Sequence, residues 1–215
     1  IDAYMETYGN TFEGINVLKG DGNGGFEDVG ATGPSAWDQT PFGGTYEYSW
    51  ADGTASAGSR SLAITSPSSS DGADAAWTQT VSVEPNTEYT FTAQVKTEDV
   101  QTVDGTGLYD GAPLGATISV EQLANAEFPP VESAIADPLT GTNDWTELSV
   151  TFDSGDLTEI QFNCLFGGYG NATGTAYYDQ IRVEDPDGLC DAMDGYCELD
   201  EVVAIGETGV VPAQH

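Results

Sequence analysis

Basic residues are almost absent from this chain: four Lys and Arg stand against 36 Asp and Glu in 215 residues, a formal charge of −32. Nucleic acids and anionic membrane surfaces are held by basic footprints, so neither is an expected partner. Histidine is as scarce. The single one is His215, the last residue given, which removes His-based activation of a nucleophile. No apolar run approaches the ~20 residues that cross a bilayer as a helix, and no helical period of useful length appears. Carboxylates are so common that a pair of them says nothing about glycoside hydrolysis. No Glu-x-Asp-x-x-Glu strand of the kind jelly-roll glucanases use is present, so the chain is not expected to be an enzyme.

So acidic a chain invites a disordered reading, which its patterning rejects. Aromatic residues make up 10% of it, and apolar alternation persists through its middle. Tyr89, Phe91, Ala93 and Val95 alternate with Thr90, Thr92, Gln94 and Lys96. Ala116, Ile118 and Val120 alternate with Thr117, Ser119 and Glu121, and Leu148, Val150 and Phe152 with Ser149 and Thr151. Period-two patterns of this kind are half-buried antiparallel strands with one wet face. Turn clusters separate them, among them Glu84-Pro85-Asn86, Asp104-Gly105-Thr106-Gly107 and Asp153-Ser154-Gly155-Asp156. The expected fold is all-β: a two-sheet antiparallel β-sandwich. The length suits one such domain with a real core.

Two settings tolerate the acidity. High salt shortens the screening length, and divalent cations can sit between carboxylates. Composition does not separate them. Cysteine usage fits an extracellular protein: Cys190 and Cys197 lie close together in an acidic segment and are expected to form a short disulfide. Cys164 shares strand parity with Ile160, Phe162 and Phe166, which predicts a buried free thiol. The first residue is Ile1, with no signal peptide, as in a processed mature form. Asn171-Ala172-Thr173 is an N-glycosylation acceptor, Asn171 being the modified residue.

Two sets of residues stand out as candidates for function. Tyr46, Tyr48 and Trp50 share one face of a strand, with Glu47 and Ser49 on the other. Such a row is either a platform on which sugar rings stack or the inward face of the strand. Asp179 has the parity of Tyr177, Ile181 and Val183, so an unbroken strand aims its carboxylate inward. A buried carboxylate is costly unless paired or metal-bound, and this chain has few cations to offer.

Several pieces, taken in order, resemble a known family. They are Gly24-Gly25-Phe26-Glu27 after Ile15–Leu18, then Gly58-Ser59-Arg60-Ser61-Leu62, Trp77-Thr78-Gln79, Trp145-Thr146-Glu147-Leu148 and Ala176-Tyr177-Tyr178-Asp179. Their order and spacing resemble the galactose-binding-domain-like β-sandwich carbohydrate-binding modules of families four, nine, sixteen and twenty-two. The resemblance spans residues 15–184 and narrows the expected sandwich to a jelly roll. It implies a structural calcium ion between Glu27 and Asp179, with main-chain oxygens near Gly25 and Arg60 as further ligands. Gln180 stands where the family has a second acid. It also implies a glycan partner, with Tyr46, Tyr48 and Trp50 as the platform, Trp37 and Tyr109 as further contacts, and Trp77 and Trp145 as packed residues.

Residues 1–14 and 185–215 fall outside that unit as N- and C-terminal extensions. Asp185–Asp194 fails the EF-hand template because Gly188 falls too early and Leu189 takes a ligand position. The expected function is non-catalytic glycan binding by an extracellular, calcium-stabilised sandwich. The alternative is a structural subunit of an extracellular filament. In that case Glu201–Ile205, or the stretch from Tyr4 to Phe12, would add a strand to a second copy of the chain.

Overall fold

The computed structural model describes residues 25–27, 33–34, 36–104, 114–121 and 134–184, and the backbone alone at 190–191 and 196–197. The strands are β1 (Asp38–Gly44), β2 (Glu47–Asp52), β3 (Arg60–Ser66), β4 (Ala73–Ser82), β5 (Glu88–Thr102), β6 (Gly115–Glu121), β7 (Ala134–Ile135), β8 (Gly141–Asp153), β9 (Glu159–Gly167), β10 (Ala172–Glu184), β11 (Cys190–Asp191) and β12 (Tyr196–Cys197). Among the described residues there is no helix long and apolar enough to cross a membrane.

Pairing sorts the strands into two layers. One runs β2-β3-β10-β5-β8 and the other β1-β4-β9-β6-β7, all antiparallel. They meet where Ala172 at the start of β10 pairs with Ala73 at the start of β4. This is the all-β, two-sheet antiparallel sandwich that the alternation predicts.

The core lies between the layers. The first sheet contributes Leu62 and Ile64 from β3, Tyr89, Phe91, Ala93 and Val95 from β5, and Leu148 and Phe152 from β8. The second contributes Ala73, Ala75 and Trp77 from β4, Ile118 and Val120 from β6, and Phe162, Cys164 and Phe166 from β9. Phe162 links the two through Phe91, with ring centroids 4.8 Å apart, and through Phe152 at 5.8 Å. Cys164 is a fully buried free thiol, and that burial pushes its pKa well up.

Strand β10 departs from simple alternation. Ala176 and Tyr178 face the core, and so do Ile181 and Val183, which have the opposite parity. A bulge lies between them. The β10–β5 register shifts between Asp179 and Arg182, and Gln180 adopts a left-handed φ of 50°. The inward carboxylate expected from unbroken parity is therefore corrected. Tyr177 faces away from the core, its hydroxyl 3.4 Å from Glu98 Oε2, and Asp179 is buried because the bulge turns it.

Candidate functional site

The stretch of residues 25–27 is stitched to the sandwich by three side chains. Phe26 is fully buried, edge-on to Trp37 with centroids 5.3 Å apart. Trp50 Nε1 donates to the Phe26 carbonyl at 2.8 Å. Glu27 Oε1 accepts from the backbone N–H groups of Ser59 and Arg60 at 2.8 and 2.9 Å, and its Oε2 accepts from Ser59 Oγ at 2.8 Å. These bonds, that from Ser59 N–H first, hold the Glu27 carboxyl below its ordinary pKa.

Asp179 grips the same loop from the other side. Its Oδ2 accepts from Ser56 and Ala57 N–H at 2.6 and 3.0 Å, and its Oδ1 from Gln180 N–H at 2.8 Å. Burial nonetheless pushes its pKa up, only partly countered by those donors. The loop leaves no room for a side chain at Gly58, which has a φ of +70°: a Cβ there would run into the Glu27 carboxylate. Gly25 and the Gln180 side-chain amide complete the cluster, Nε2 standing 3.3 Å from where a Gly25 Cβ would be.

Glu27, Asp179, Gly25 and Arg60, the four residues proposed from sequence, thus gather around one loop. Counting acceptors tests whether a cation fits. Glu27 Oε1 and Asp179 Oδ2 each take two donors, whereas Glu27 Oε2 and Asp179 Oδ1 each take one. Glu27 Oε2 therefore keeps a lone pair for a hard cation, whereas the Gln180 side chain adds a further hydrogen bond to Asp179. Among the described residues no group of three or more acids, His or Cys converges, so further ligands would be carbonyls and water.

The aromatic row has a different fate. In the ladder Tyr48 opposes Ile64 and Trp50 opposes Leu62, so its rings share a face with core residues. Tyr48 stands edge-on to Trp77 at 5.1 Å and to Tyr46 at 5.2 Å. The Arg60 guanidinium covers Trp50, 4.0 Å from the ring centroid. Tyr46, Tyr48 and Trp50 are half-buried and packed against the core, and Trp37 lies within it. The row thus sits at the margin of the core, because among the described residues β2 pairs only with β3 and shares its inward face. Tyr109 lies outside the described residues. Trp77 is buried as expected, while Trp145 is only half-buried. Asn171 Nδ2, the glycosylation acceptor, donates to the Asp71 carbonyl at 2.9 Å.

A second set of residues escaped the sequence reading. On the second sheet, Asp74, Thr78, Thr117, Ser119 and Asn163 are buried although their parity places them on the face away from the core. Thr117 and Ser119 were expected on a wet face. Here Thr117 Oγ1 donates to the Ala136 carbonyl at 2.7 Å, Asn163 Nδ2 donates to Ser119 Oγ at 3.0 Å and Gln161 Nε2 to Asn163 Oδ1 at 2.9 Å, while Thr40 Oγ1 lies 2.8 Å from Thr78 Oγ1. Half-exposed Thr40, Gln161 and Glu121 and exposed Asp38 form the margin of this face. Asp74 receives backbone N–H groups from Gly168 and Gly170, yet burial, with the charge of Glu121, pushes its pKa up to about 7. The one available signal was polar residues at alternate positions of β4 and β9, both of which are also filled with core residues.

No family model matches the chain, and no curated protein matches it. Solved structures are similar to it in architecture. The enzymatically active domain of tailspike protein 4 from bacteriophage CBA120 is 16% identical over 77% of this chain, with a TM-score of 0.49; the chain spans 21% of that protein. A family 16 carbohydrate-binding module is 24% identical over 64% of this chain and 85% of its own length, with a TM-score of 0.43. The CBM22-1 xylan-binding domain of Paenibacillus barcinonensis Xyn10C is 14% identical over 75% of this chain and 90% of its own, with a TM-score of 0.44. Modules of families 4 and 61 are also among the similar structures, and the likeness to all of these is one of β-sandwich architecture.

Proposed function

We propose that this chain is a non-catalytic, extracellular, calcium-stabilised β-sandwich that binds a glycan on the outer face of β1, β4, β9 and β6. The observation that carries the reading is a polar outer face, on which buried Asp74, Thr78, Ser119 and Asn163 are rimmed by Asp38, Thr40, Glu121 and Gln161, which keep exposed surface. Hydroxyl, amide and carboxylate groups in a row match the alternating donors and acceptors of a sugar chain. Calcium would be held by Glu27 Oε2 and Asp179 Oδ1, with main-chain oxygens near Gly25 and Arg60, and would cross-link loop 56–60 to β10. Affinity electrophoresis of the full chain through a panel of polysaccharides tests the glycan reading. Retardation by at least one, reduced by Asp38→Ala on the exposed margin of that face at an unchanged melting temperature, is expected. Uniform mobility through all of them overturns it.

One observation favours a second reading, assembly by strand addition. Among the described residues β8 pairs only with β5, so one edge of this 13-residue strand offers free N–H and C=O groups. The donors proposed from sequence, Glu201–Ile205 and Tyr4–Phe12, lie outside the described residues. Filaments by electron microscopy that vanish on deletion of residues 198–215 would support this reading, and a monomer in saturating calcium would end it.

A further inference from the structure

Phe42 is 49% exposed, and among the described residues no other large hydrophobic side chain is open to solvent in this way. It lies on β1, which bounds the outer face and pairs among the described residues only with β4, and it takes no part in the packed core. The β1–β4 register slips between Pro41 and Gly43, so Phe42 is the extra residue of a bulge, a device that re-aims a side chain. The backbone holds it there from both sides. Pro41 has a fixed φ on one flank. On the other, Gly44 adopts a φ of +86° where a Cβ would run into the Gly72 carbonyl, and Thr45 N–H donates to that same carbonyl at 2.9 Å.

The rest of the outer face narrows where a ligand can touch it. Thr78, Ser119 and Asn163 in its middle are 5, 0 and 0% exposed, so contacts fall on the rim. Along β1 that rim is continuous: Asp38 opposes Thr78, Thr40 reaches Thr78 Oγ1 at 2.8 Å, and Phe42 follows two residues on. Asp38 and Phe42 are exposed and Thr40 half-exposed. From Asp38 to Phe42 is about 13 Å at ~3.3 Å per residue, room for a short run of sugar rings. Glu121, on β6, lies three strands away from β1, about 14 Å at ~4.8 Å per strand. One aromatic ring among polar side chains is too small an apolar patch for a stable protein partner, which covers about 800 Å² a side. It matches the CH face of one pyranose ring, with the Thr40 hydroxyl and the Asp38 carboxylate available to hydroxyls of the units that follow. The formal charge of −32 disfavours an anionic chain.

We propose that the glycan lies lengthwise along β1, a neutral chain stacked on Phe42 and hydrogen-bonded at Thr40 and Asp38. This rests on the glycan reading of the outer face and names where on it the chain runs. Affinity electrophoresis of the full-length protein tests it with four neutral polysaccharides: hydroxyethyl cellulose, mixed-linkage β-glucan, arabinoxylan and galactomannan. At least one should retard the parent protein. Phe42→Ala should weaken that binding about tenfold, the scale of a lost aromatic contact and its buried area, at an unchanged melting temperature. Phe42→Tyr, which keeps a flat ring, should bind as the parent does. Thr40→Ala should weaken binding severalfold, the worth of one hydrogen bond, while Glu121→Gln, off the path, should not. If Phe42→Ala melts early, Asp38→Ala carries the comparison with Glu121→Gln. Undiminished retardation of a folded Phe42→Ala protein overturns the stacking assignment and leaves the glycan reading standing. An equal loss in Glu121→Gln places the chain across the strands and overturns the lengthwise path as well. A parent protein that none of the four retards overturns both.

Discussion

Glu27 and Asp179, 152 positions apart in sequence, hold opposite ends of one short loop: Asp179 takes the N–H groups of Ser56 and Ala57, and Glu27 those of Ser59 and Arg60. Glu27 Oε2 keeps one lone pair uncommitted, and between them the two carboxylates fasten residues 25–27 to the middle of β10 through the loop that leads into β3.

Calcium should therefore raise the melting temperature at fixed ionic strength, by an amount corresponding to roughly 3 kcal/mol when its concentration is ~100 times the dissociation constant. Glu27→Gln and Asp179→Asn should each shrink that response. Identical melts in calcium and in chelator would show that hydrogen bonds alone hold the loop.

Trp50→Ala should behave as a core mutation. It removes a ring packed under Arg60 and leaves the Phe26 carbonyl without its donor. A loss of about 2–4 kcal/mol in denaturant unfolding is expected, near the range for large-to-small aromatic changes. Trp50→Phe should cost about 1 kcal/mol, the worth of the lost hydrogen bond. A Trp50→Ala protein as stable as the parent would return this ring to the list of ligand contacts.

Asp74 should make stability fall as pH rises. Its carboxyl ionises near 3.8 when free and near 7 in the folded protein. Between those values the folded state keeps a proton that the unfolded state has released, so folding is progressively penalised. The full penalty is at most about 4 kcal/mol at ~1.4 kcal/mol per unit. Glu121 and Asp179, both also raised by burial, act in the same direction, while Glu27, lowered, acts oppositely. Tyr48, which also interacts with Asp74, stays neutral throughout this window, its pKa raised by burial. Asp74→Asn should flatten the decline in urea midpoints between pH 5 and 8 and leave a more stable protein at pH 8. An unchanged slope would mean that Asp74 is already paired.

Cys190 and Cys197 face each other in the β11–β12 ladder, which Glu184 and Asp191 join to the end of β10. A disulfide there is expected to form by exchange with an oxidised dithiol. The intact protein should then weigh less than its reduced form by two hydrogens, with a single thiol, Cys164, reacting only after denaturation. Three reactive thiols in the oxidised, unfolded protein would rule the bridge out.

Local pattern was enough to specify the strands and the class of fold. A side chain every second position must face either a core or something else, and Tyr89–Val95, Ala116–Val120 and Leu148–Phe152 leave little choice about which residues do. The quartet of Gly25, Glu27, Arg60 and Asp179 around loop 56–60 was legible only through family resemblance, since Glu27 and Asp179 share no local spacing. Tertiary structure decided what alternation cannot. The bulge at Gln180 swapped the parity of β10 and turned Asp179 toward the loop. Pairing with β3 placed Tyr48 and Trp50 at the core margin. Assembly of β1, β4, β9 and β6 buried Asp74, Ser119 and Asn163 on a face that any one strand would assign to solvent. The physical reason is common to all three: alternation fixes which side chains share a face, but burial and available partners belong to the neighbouring strands, and those are chosen only when the sheets assemble.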